Sequence, residues 1–247
     1  MIELNSYICG DCMDYLPQFP DKYFDIAVVD PQYGINAPNM SMGSNKSRKG
    51  DGYPGISTAE KLRKGRLNQG AGKLKNRALN TMDCSWDYER PKPEYFKELF
   101  RVSKNQIIFG YNYFSDMLPP CRGFIAWDKR QPWENFSQVE LAWTSMDMPA
   151  KLVKISNTGG SNTEEKIHPT QKPIELYGWI YSKFAEHGMK MLDTHVGSGT
   201  NLRAAYDAGL RFVGFEKSTF YYQKSKEKLD LHMAQMTLTQ DFPEVLP

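Results

Sequence analysis

The chain is poor in the features that define secreted, membrane-bound or zinc-binding proteins. Its 247 residues include only four cysteines, Cys9, Cys12, Cys84 and Cys121. Cys9 and Cys12 make a lone Cys-x-x-Cys, whereas a structural zinc site needs a second pair, so we expect reduced thiols and no bound metal. No apolar run approaches the roughly 18 residues of a membrane span, and no secretory signal precedes Asp11. These absences predict a soluble, cytoplasmic protein.

The formal net charge is only +2, but the basic residues are unevenly distributed. Residues 36–82 carry a charge of +8, and the rest of the chain carries −6. This segment is also rich in Gly, Asn and Ser, which is typical of a loop. We therefore predict a loop that binds a polyanion, against the simpler alternative of a solvated loop. Its basic residues are Lys46, Arg48, Lys49, Lys61, Arg63, Lys64, Arg66, Lys73, Lys75 and Arg77.

Apolar runs alternate with helical stretches, which predicts one α/β domain over residues 1–247 with an insertion at 36–82. Strands are predicted at residues 24–29, 106–109, 124–127, 139–144, 189–192 and 212–215. The third and fourth of these are expected to form an antiparallel pair. Helices are predicted at residues 11–16, 93–102, 174–184 and 201–208.

A glycine-rich turn follows the predicted strand at 189–192. Because Gly197 and Gly199 carry no Cβ, the backbone there can approach a ligand closely. Glu216 lies 19 residues after Gly197, at the end of the next strand. In nucleoside-binding βαβ units, an acidic residue at this spacing accepts hydrogen bonds from ribose hydroxyls. Leu202 stands where a dinucleotide fingerprint has its third glycine, and the Gly-Lys-Thr ending of a P-loop is absent. The turn therefore predicts a nucleoside cofactor.

An acidic motif, Asp30-Pro31-Gln32-Tyr33, follows the strand at 24–29. The carboxylate of Asp30 and the carbonyl of Pro31 could accept both hydrogens of an amino group on a planar base. Tyr33 could stack on that base, which is worth roughly 1–3 kcal/mol. An Asp-Pro turn at the end of a strand is ordinary by itself, but this does not explain its pairing with the glycine-rich turn.

Together, the two motifs resemble the catalytic and S-adenosylmethionine motifs of beta-class DNA amino-methyltransferases, in which the catalytic motif comes first in the chain. Asp11 and the stretch 168–173, His-Pro-Thr-Gln-Lys-Pro, match further motifs in the same order, so the resemblance covers nearly the whole chain. Residues 127–129 and 140–145 also look like central strands of phage and restriction-associated members. The resemblance implies a Rossmann-like class I methyltransferase fold with circularly permuted motifs. Its sheet would have seven mostly parallel strands and a terminal antiparallel hairpin.

The resemblance also implies S-adenosylmethionine as the cofactor. Asp11 would meet its adenine end, Glu216 its ribose, and Asp193 with the turn 195–200 its methionine part. The stretch 168–173 would lie beside the methionine moiety. The implied cofactor-binding residues are Asp11, Cys12, Asp30, His168, Thr170, Lys172, Pro173, Asp193, His195, Gly197, Ser198, Gly199, Thr200, Glu216 and Lys217. The implied catalytic residues are Asp30, Pro31, Gln32 and Tyr33.

Two positions depart from the family pattern. Gln32 stands where the family has proline, and its amide could contact the base or the backbone. Thr194 and His195 stand where the family usually has Pro-Phe. We expect His195 to pack against the cofactor in place of the phenylalanine ring. An acid-base role is the alternative, although alkylation of an amine by a sulfonium does not require a histidine.

The resemblance implies transfer of a methyl group to an amino group in double-stranded DNA, on a base flipped out of the duplex at a cost of a few kcal/mol. The aspartate form of the motif usually accompanies adenine, so adenine is favoured over cytosine N4. RNA or protein amide methylation and a non-catalytic nucleic-acid-binding module are competing hypotheses. Carbon-5 methylation is disfavoured, because Cys121 follows a predicted turn rather than an apolar strand.

Target recognition is expected in residues 36–82 and 157–167, whose short length implies a short DNA site. The ten basic residues of the insertion become candidate DNA-binding residues. Two further partners are compatible with the resemblance, namely a cognate restriction endonuclease and a second copy of this chain in a homodimer.

Neutralising Lys61, Arg63, Lys64 and Arg66 is expected to weaken DNA binding broadly and to flatten its salt dependence, because fewer counterions are released on binding. Titrations of DNA at several salt concentrations test this. A salt slope identical to that of the wild type would reject the role of these residues.

Overall fold

A mixed β-sheet lies at the centre of the computed structural model, which describes residues 2–35, 85–131, 137–157 and 166–241. In these ranges it has eight strands: β1 (Ser6–Cys9), β2 (Phe24–Val29), β3 (Ser103–Phe109), β4 (Phe124–Asp128), β5 (Val139–Thr144), β6 (Lys151–Lys154), β7 (Lys190–Asp193) and β8 (Arg211–Glu216). The order across the sheet is β1-β8-β7-β2-β3-β5-β4-β6, and of these strands β5 alone runs against the others.

Helices cover both faces of the sheet. They are α1 (Cys12–Tyr15), α2 (Pro93–Val102), α3 (Ile174–Phe184), α4 (Thr200–Asp207) and α5 (Thr219–Asp241). The bounds of α2 and α3 are those predicted from the sequence. None of the helices in the described ranges combines the length and the apolar character that crossing a bilayer requires. The basic insertion at 36–82 and Cys84 lie outside the described residues.

The predicted mostly parallel sheet with an antiparallel pair of strands is confirmed, whereas the predicted count of seven strands and the terminal place of the pair were wrong. The described residues form eight strands, and β6 pairs in parallel with β4 at the edge of the sheet. The antiparallel pair of β4 and β5 therefore lies one strand in from the edge. Leu152 in β6 is exposed and Val153 is its one buried residue, so this edge strand has no apolar run to reveal it.

The central strands are buried on both faces, which explains their continuous apolar sequences. In β2, Ile26 and Val28 pack into the cluster beneath α3, α4 and α5. Ala27 and Val29 point to the opposite face and pack with residues of α2. A strand held on both sides in this way is a rigid base for the residues that follow it.

Pairing between β2 and β7 brings two distant parts of the chain together. The strands are parallel and align Ala27 with Leu192. Because the carboxyl ends of parallel strands lie on the same side of a sheet, Asp30 after β2 lies near Asp193 at the end of β7. The candidate site lies at these carboxyl ends.

Asn201, near the start of α4, ties these two strands to the helices. Its amide nitrogen donates to the carbonyl of Val28 at 2.9 Å and to Oδ2 of Asp193 at 2.8 Å. Its amide oxygen accepts a hydrogen bond from the hydroxyl of Tyr181 in α3. All these groups are buried, so none could find water if Asn201 were lost.

Asn201→Ala is expected to lower the free energy of unfolding by about 3 kcal/mol, because it leaves several buried polar groups without partners. Urea unfolding of the variant and the wild type measures this. Asn105→Ala is the matched control, since its exposed amide makes a single 3.2 Å bond to the carbonyl of Asp25. Equal losses in the two variants would contradict the interpretation.

Candidate active site

A cavity of about 1360 Å³ opens at the carboxyl ends of the central strands. It is lined by Asp30 after β2, by the turn after β7 and by Glu216 at the end of β8. Asp11 and the stretch around His168 complete its wall. The acidic motif and the glycine-rich turn therefore face one cleft. The predicted residues in its lining are Asp11, Cys12, Asp30, Gln32, His168, Thr170, Lys172, His195, Gly197, Ser198, Glu216 and Lys217.

Glu216 and the glycine-rich turn form one corner of this cavity. The backbone N–H of Gly197 donates to Oε2 of Glu216 at 2.8 Å, and that of Ser218 donates to Oε1 at 2.8 Å. Burial raises the pKa of Glu216, and these backbone donors oppose the rise. Gly197 has a φ of +55°, which favours glycine. Each carboxylate oxygen keeps a further lone pair, so Glu216 can still accept hydrogen bonds from a pair of hydroxyls.

Asp11 lies at the opening of α1 and caps it. Its Oδ1 accepts a hydrogen bond from the N–H of Met13 at 3.0 Å, and its Oδ2 accepts one from Nζ of Lys217 at 2.9 Å. Burial opposes ionisation, but these two donors lower the pKa of Asp11 overall. Lys217 and Asp11 therefore form a charged rim on the cavity.

His168, which is buried, and His195, which is half-buried, both line the cavity. The ring of His168 packs edge-on against Tyr221, with 4.3 Å between centroids, and tilts against Trp86 at 5.0 Å. The ring of His195 packs edge-on against Tyr95 at 5.2 Å. Burial lowers the pKa of His168 to about 3 and that of His195 to about 4. Both rings are therefore neutral at physiological pH and act as aromatic walls.

Four residues that were assigned to the cofactor are not among those that line this cavity: Pro173, Asp193, Gly199 and Thr200. The carboxylate of Asp193 is buried and accepts hydrogen bonds from the N–H of His195 at 3.0 Å and from the amide of Asn201. Burial raises the pKa of Asp193 to about 7, although both donors lower it. Through its bond to the N–H of His195, Asp193 holds the backbone of the turn without lining the cavity.

A second cavity, of about 460 Å³, adjoins the first. Its lining includes the rest of the acidic motif, Pro31 and Tyr33, as well as Tyr113 and Glu140. Five residues line both cavities, namely Asp30, Gln32, Trp86, Thr170 and Lys172. Asp30 therefore lies at the junction of a large cavity and a smaller, aromatic one.

Asp30 belongs to a buried network of charged groups. Its Oδ1 accepts a hydrogen bond from the hydroxyl of Tyr33 at 2.6 Å, and its Oδ2 contacts the ammonium of Lys172. Glu140 in β5 faces the same two groups, with Oε1 at 2.7 Å from the Tyr33 hydroxyl and 2.8 Å from Nζ of Lys172. Lys129 closes the network with a 2.6 Å ion pair to Oε2 of Glu140.

The two carboxyl groups of this network titrate differently. Burial raises the pKa of Asp30, and the single neighbouring ammonium of Lys172 does not reverse this rise. Burial also opposes ionisation of Glu140, but the ammonium groups of Lys172 and Lys129 together lower its pKa to about 2. Glu140 is thus a fixed anion, whereas Asp30 can take up a proton more readily.

The ring of Tyr33 is already stacked in this structure. It lies on Tyr113, with 4.8 Å between centroids and 17° between planes. Gly110, at a φ of +81°, lies so close that a Cβ there would be 2.3 Å from the Tyr33 ring. The stacking of Tyr33 on a base stays a prediction. Tyr113, which also lines the second cavity, is a further candidate for that contact.

Several lining residues were missed by sequence reasoning. Glu140 and Lys129 stood only within stretches that resemble family strands, and Trp86 and Tyr221 were not singled out. Trp86 lines both cavities, and its buried indole N–H has no hydrogen-bond partner among the described residues. Its position just after the insertion was the one available signal. Of the loop 157–167, Asn157 lines the second cavity, and residues 158–165 lie outside the described residues.

Metal binding has no visible basis in the described part of the chain. Cys9, Cys12 and Cys121 are free thiols, and the described ranges hold no group of three His, Cys, Asp or Glu side chains placed around a common ion.

The fold is that of a class I methyltransferase. The M1.HpyAVI–SAM complex has a TM-score of 0.52 at 17% identity, covering 91% of this chain and 98% of that one. PvuII DNA methyltransferase (cytosine-N4-specific) has a TM-score of 0.54 at 14% identity, covering 93% and 91%. TTHA0409 from Thermus thermophilus, complexed with S-adenosyl-L-methionine, has a TM-score of 0.52 at 16% identity, covering 92% and 93%.

The sequence defines the family. Residues 56–227 match the N6_N4_Mtase model, described as DNA methylase. Because this match covers more than half of the chain, the protein belongs to the N6/N4 family of S-adenosylmethionine-dependent DNA amino-methyltransferases.

Individual relatives are more distant. Putative methylase YubD of Escherichia coli K12 is 21% identical over 226 residues, which is 92% of this chain and 90% of that protein. Type II methyltransferase M.HpaI of Haemophilus parainfluenzae is 32% identical over 82 residues, or 33% of this chain and 26% of that protein.

S-Adenosylmethionine is the methyl donor of this family, and the larger cavity suits it. The Glu216 carboxylate offers acceptors for ribose hydroxyls, Gly197 leaves room for close approach, and the neutral ring of His195 gives an aromatic wall. The bound cofactor would supply an electrophilic methyl group on a sulfonium.

Acid is expected to destabilise the fold through His168 and His195. An unfolded histidine has a pKa near 6.5, whereas these two have values of about 3 and about 4. Between roughly pH 6.5 and 4 the unfolded chain therefore binds up to two more protons than the folded chain, and stability falls as pH falls, by at most about 2.7 kcal/mol per pH unit for the pair.

Urea unfolding at a series of pH values checks this contribution. A double variant, His168→Gln with His195→Gln, is expected to have a shallower acid slope than the wild type. Exposed His187 supplies the control, because His187→Gln removes a histidine away from both cavities. Parallel slopes for the double variant and the wild type would contradict burial as the cause.

Proposed function

We propose that this DNA amino-methyltransferase transfers the methyl group to the exocyclic amino group of adenine in double-stranded DNA. The observation that carries the proposal is the position of Asp30 at the junction of the two cavities. The larger cavity would hold the cofactor and the smaller one the base. A nitrogen held at Asp30 would then face the methyl group directly.

An exocyclic amino nitrogen is a poor nucleophile, because its lone pair is delocalised into the ring. Hydrogen bonds from the amino group to the Asp30 carboxylate and the Pro31 carbonyl would draw the lone pair back and aim it at the methyl group. These are effects of alignment and of electrostatics as charge develops on the nitrogen. The Asp30 side chain is 19% exposed, so an entering base can reach it.

The target nitrogen is shielded inside a duplex, so we propose that the base is flipped into the smaller cavity. Unstacking costs a few kcal/mol, and stacking inside the pocket offsets it at roughly 1–3 kcal/mol per contact. Tyr113 and Trp86 supply aromatic surface there. The basic insertion at 36–82 is proposed to hold the flanking phosphates.

Cytosine N4 is the second candidate target. The chemistry at Asp30 is the same for both amino groups, and one structure of similar fold is named as cytosine-N4-specific. The aspartate at the head of the motif favours adenine. Incubation with duplex DNA and cofactor, followed by mass spectrometry of the nucleosides, separates N6-methyladenine from N4-methylcytosine. RNA and peptide acceptors in parallel test the competing substrate classes.

Asp30→Asn is expected to slow methyl transfer roughly 100- to 1,000-fold, as loss of one group that stabilises developing charge does elsewhere. Single-turnover methylation with labelled cofactor measures the rate, and calorimetry measures cofactor affinity, which is expected to persist.

Asp147→Asn is the control, since Asp147 is exposed and pairs with Arg122 away from both cavities. Wild-type rates for Asp30→Asn would reject the proposed catalytic site. Loss of binding without loss of rate at saturation would assign Asp30 to the cofactor alone.

A further inference from the structure

One hydroxyl proton lies between two carboxyl groups in the buried network. The Tyr33 hydroxyl is 2.6 Å from Oδ1 of Asp30 and 2.7 Å from Oε1 of Glu140. A phenol has a single O–H, so it can donate to only one of them at a time. The Tyr33 hydroxyl can therefore change acceptor by rotating its O–H, without moving the ring.

Lys172 also contacts both carboxyl groups, although its three N–H donors let it bond to both at once. Its ammonium contacts Oδ2 of Asp30 and lies 2.8 Å from Oε1 of Glu140. Each oxygen of Asp30 thus has a partner that also touches Glu140. An amino group that approaches Asp30 has to compete with these partners, and Glu140 is positioned to keep them.

We propose that Glu140 is a positioning residue for methyl transfer, which retains the Tyr33 hydroxyl and the Lys172 ammonium while the amino group of the base engages Asp30. This inference rests on the proposed role of Asp30. Glu140 itself acts through Tyr33 and Lys172. Without it, release of Asp30 would leave a phenol and an ammonium in a buried site without their carboxylate partners, which is unfavourable.

The arrangement also accounts for the proton that methyl transfer releases. As the N–CH₃ bond forms and the S–CH₃ bond breaks, the nitrogen becomes cationic and loses one proton to Oδ1 of Asp30. The protonated carboxyl can then donate to the oxygen of Tyr33, whose own O–H turns to Glu140. Lys129, at 2.6 Å from Oε2, keeps Glu140 anionic and ready to accept this hydrogen bond.

The surroundings of Asp30 predict how its titration depends on Glu140. Its titratable neighbours are Tyr33 in the motif, Glu140 in β5, Lys172 before α3, Tyr177 in α3, Tyr95 in α2 and Asp193 at the end of β7. Burial raises the pKa of Asp30, Lys172 lowers it, and the negative charge of Glu140 raises it further. Removing that charge is therefore expected to lower the pKa of Asp30.

Glu140→Gln tests the inference in the full-length protein with saturating S-adenosylmethionine and duplex DNA. The single-turnover rate is expected to fall roughly 100-fold, the loss typical of a misplaced catalytic group. The acid limb of the pH–rate profile is expected to move to lower pH, and cofactor affinity is expected to stay unchanged. Glu98→Gln is the matched control, because Glu98 pairs with Arg101 on α2 outside both cavities.

A second variant separates positioning from simple charge balance. Glu140→Gln leaves Lys129 and Lys172 facing one carboxylate, which can destabilise the fold. Adding Lys129→Gln restores neutrality and is expected to restore the unfolding temperature. Methyl transfer by this double variant is expected to stay about 100-fold slower than in Lys129→Gln alone.

Each failure has its own signature. A wild-type rate and acid limb in Glu140→Gln, with Asp30→Asn inactive, would overturn this inference and leave the proposed function standing. Recovery of the rate together with stability in the double variant would also overturn it, because Glu140 would then be a counterion only. Full activity of Asp30→Asn would instead overturn the proposed function.

Discussion

The parallel pairing of β2 with β7 is the constraint on which the site depends. Hydrogen bonds between strands are indifferent to chain order, so two segments far apart in sequence end at the same edge of the sheet. Asn201 reinforces the junction by bonding the backbone of β2 and the carboxylate at the end of β7. The acidic motif can therefore come first in the chain and still face the glycine-rich turn.

The parts of the fold that local sequence predicts are those buried on both faces. Residues 26–29 of β2 and residues 191–192 of β7 are apolar, because their side chains pack into the two hydrophobic clusters on either face of the sheet. The edge strands gave weaker signals. In β1 Tyr7 is the one buried residue, and β6 presents Leu152 to solvent, so their place in the sheet follows from backbone pairing rather than from composition.

The candidate site also contains residues that the sequence predicts and residues that it does not. Asp30, Gly197 and Glu216 were predictable because each follows or ends a strand, and strand ends converge in an open α/β sheet. Glu140 was not, because its contact with Tyr33 requires β5 to run against its neighbours and bring a mid-chain carboxylate to the acidic motif. The stacking of Tyr33 on Tyr113 could not be predicted from the sequence either, because Tyr113 follows a different strand, β3. Side chains that meet across the sheet have no fixed spacing in the sequence, so no local pattern predicts their contact.

The buried network is difficult to explain by stability alone. Asp30, Glu140, Lys129 and Lys172 are all largely buried, with Lys172 only 5% exposed. Desolvation of such groups costs several kcal/mol each, and apolar side chains of similar volume often stabilise a fold as well or better. The charges balance, two against two, yet the Tyr33 hydroxyl and the Lys172 ammonium each lie between two carboxyl groups. The single O–H of Tyr33 has two carboxylate acceptors within reach, one more than it can use at a time. Shared donors allow a carboxylate to be freed without an unpaired group being left behind, as the proposed binding of a substrate amino group at Asp30 requires.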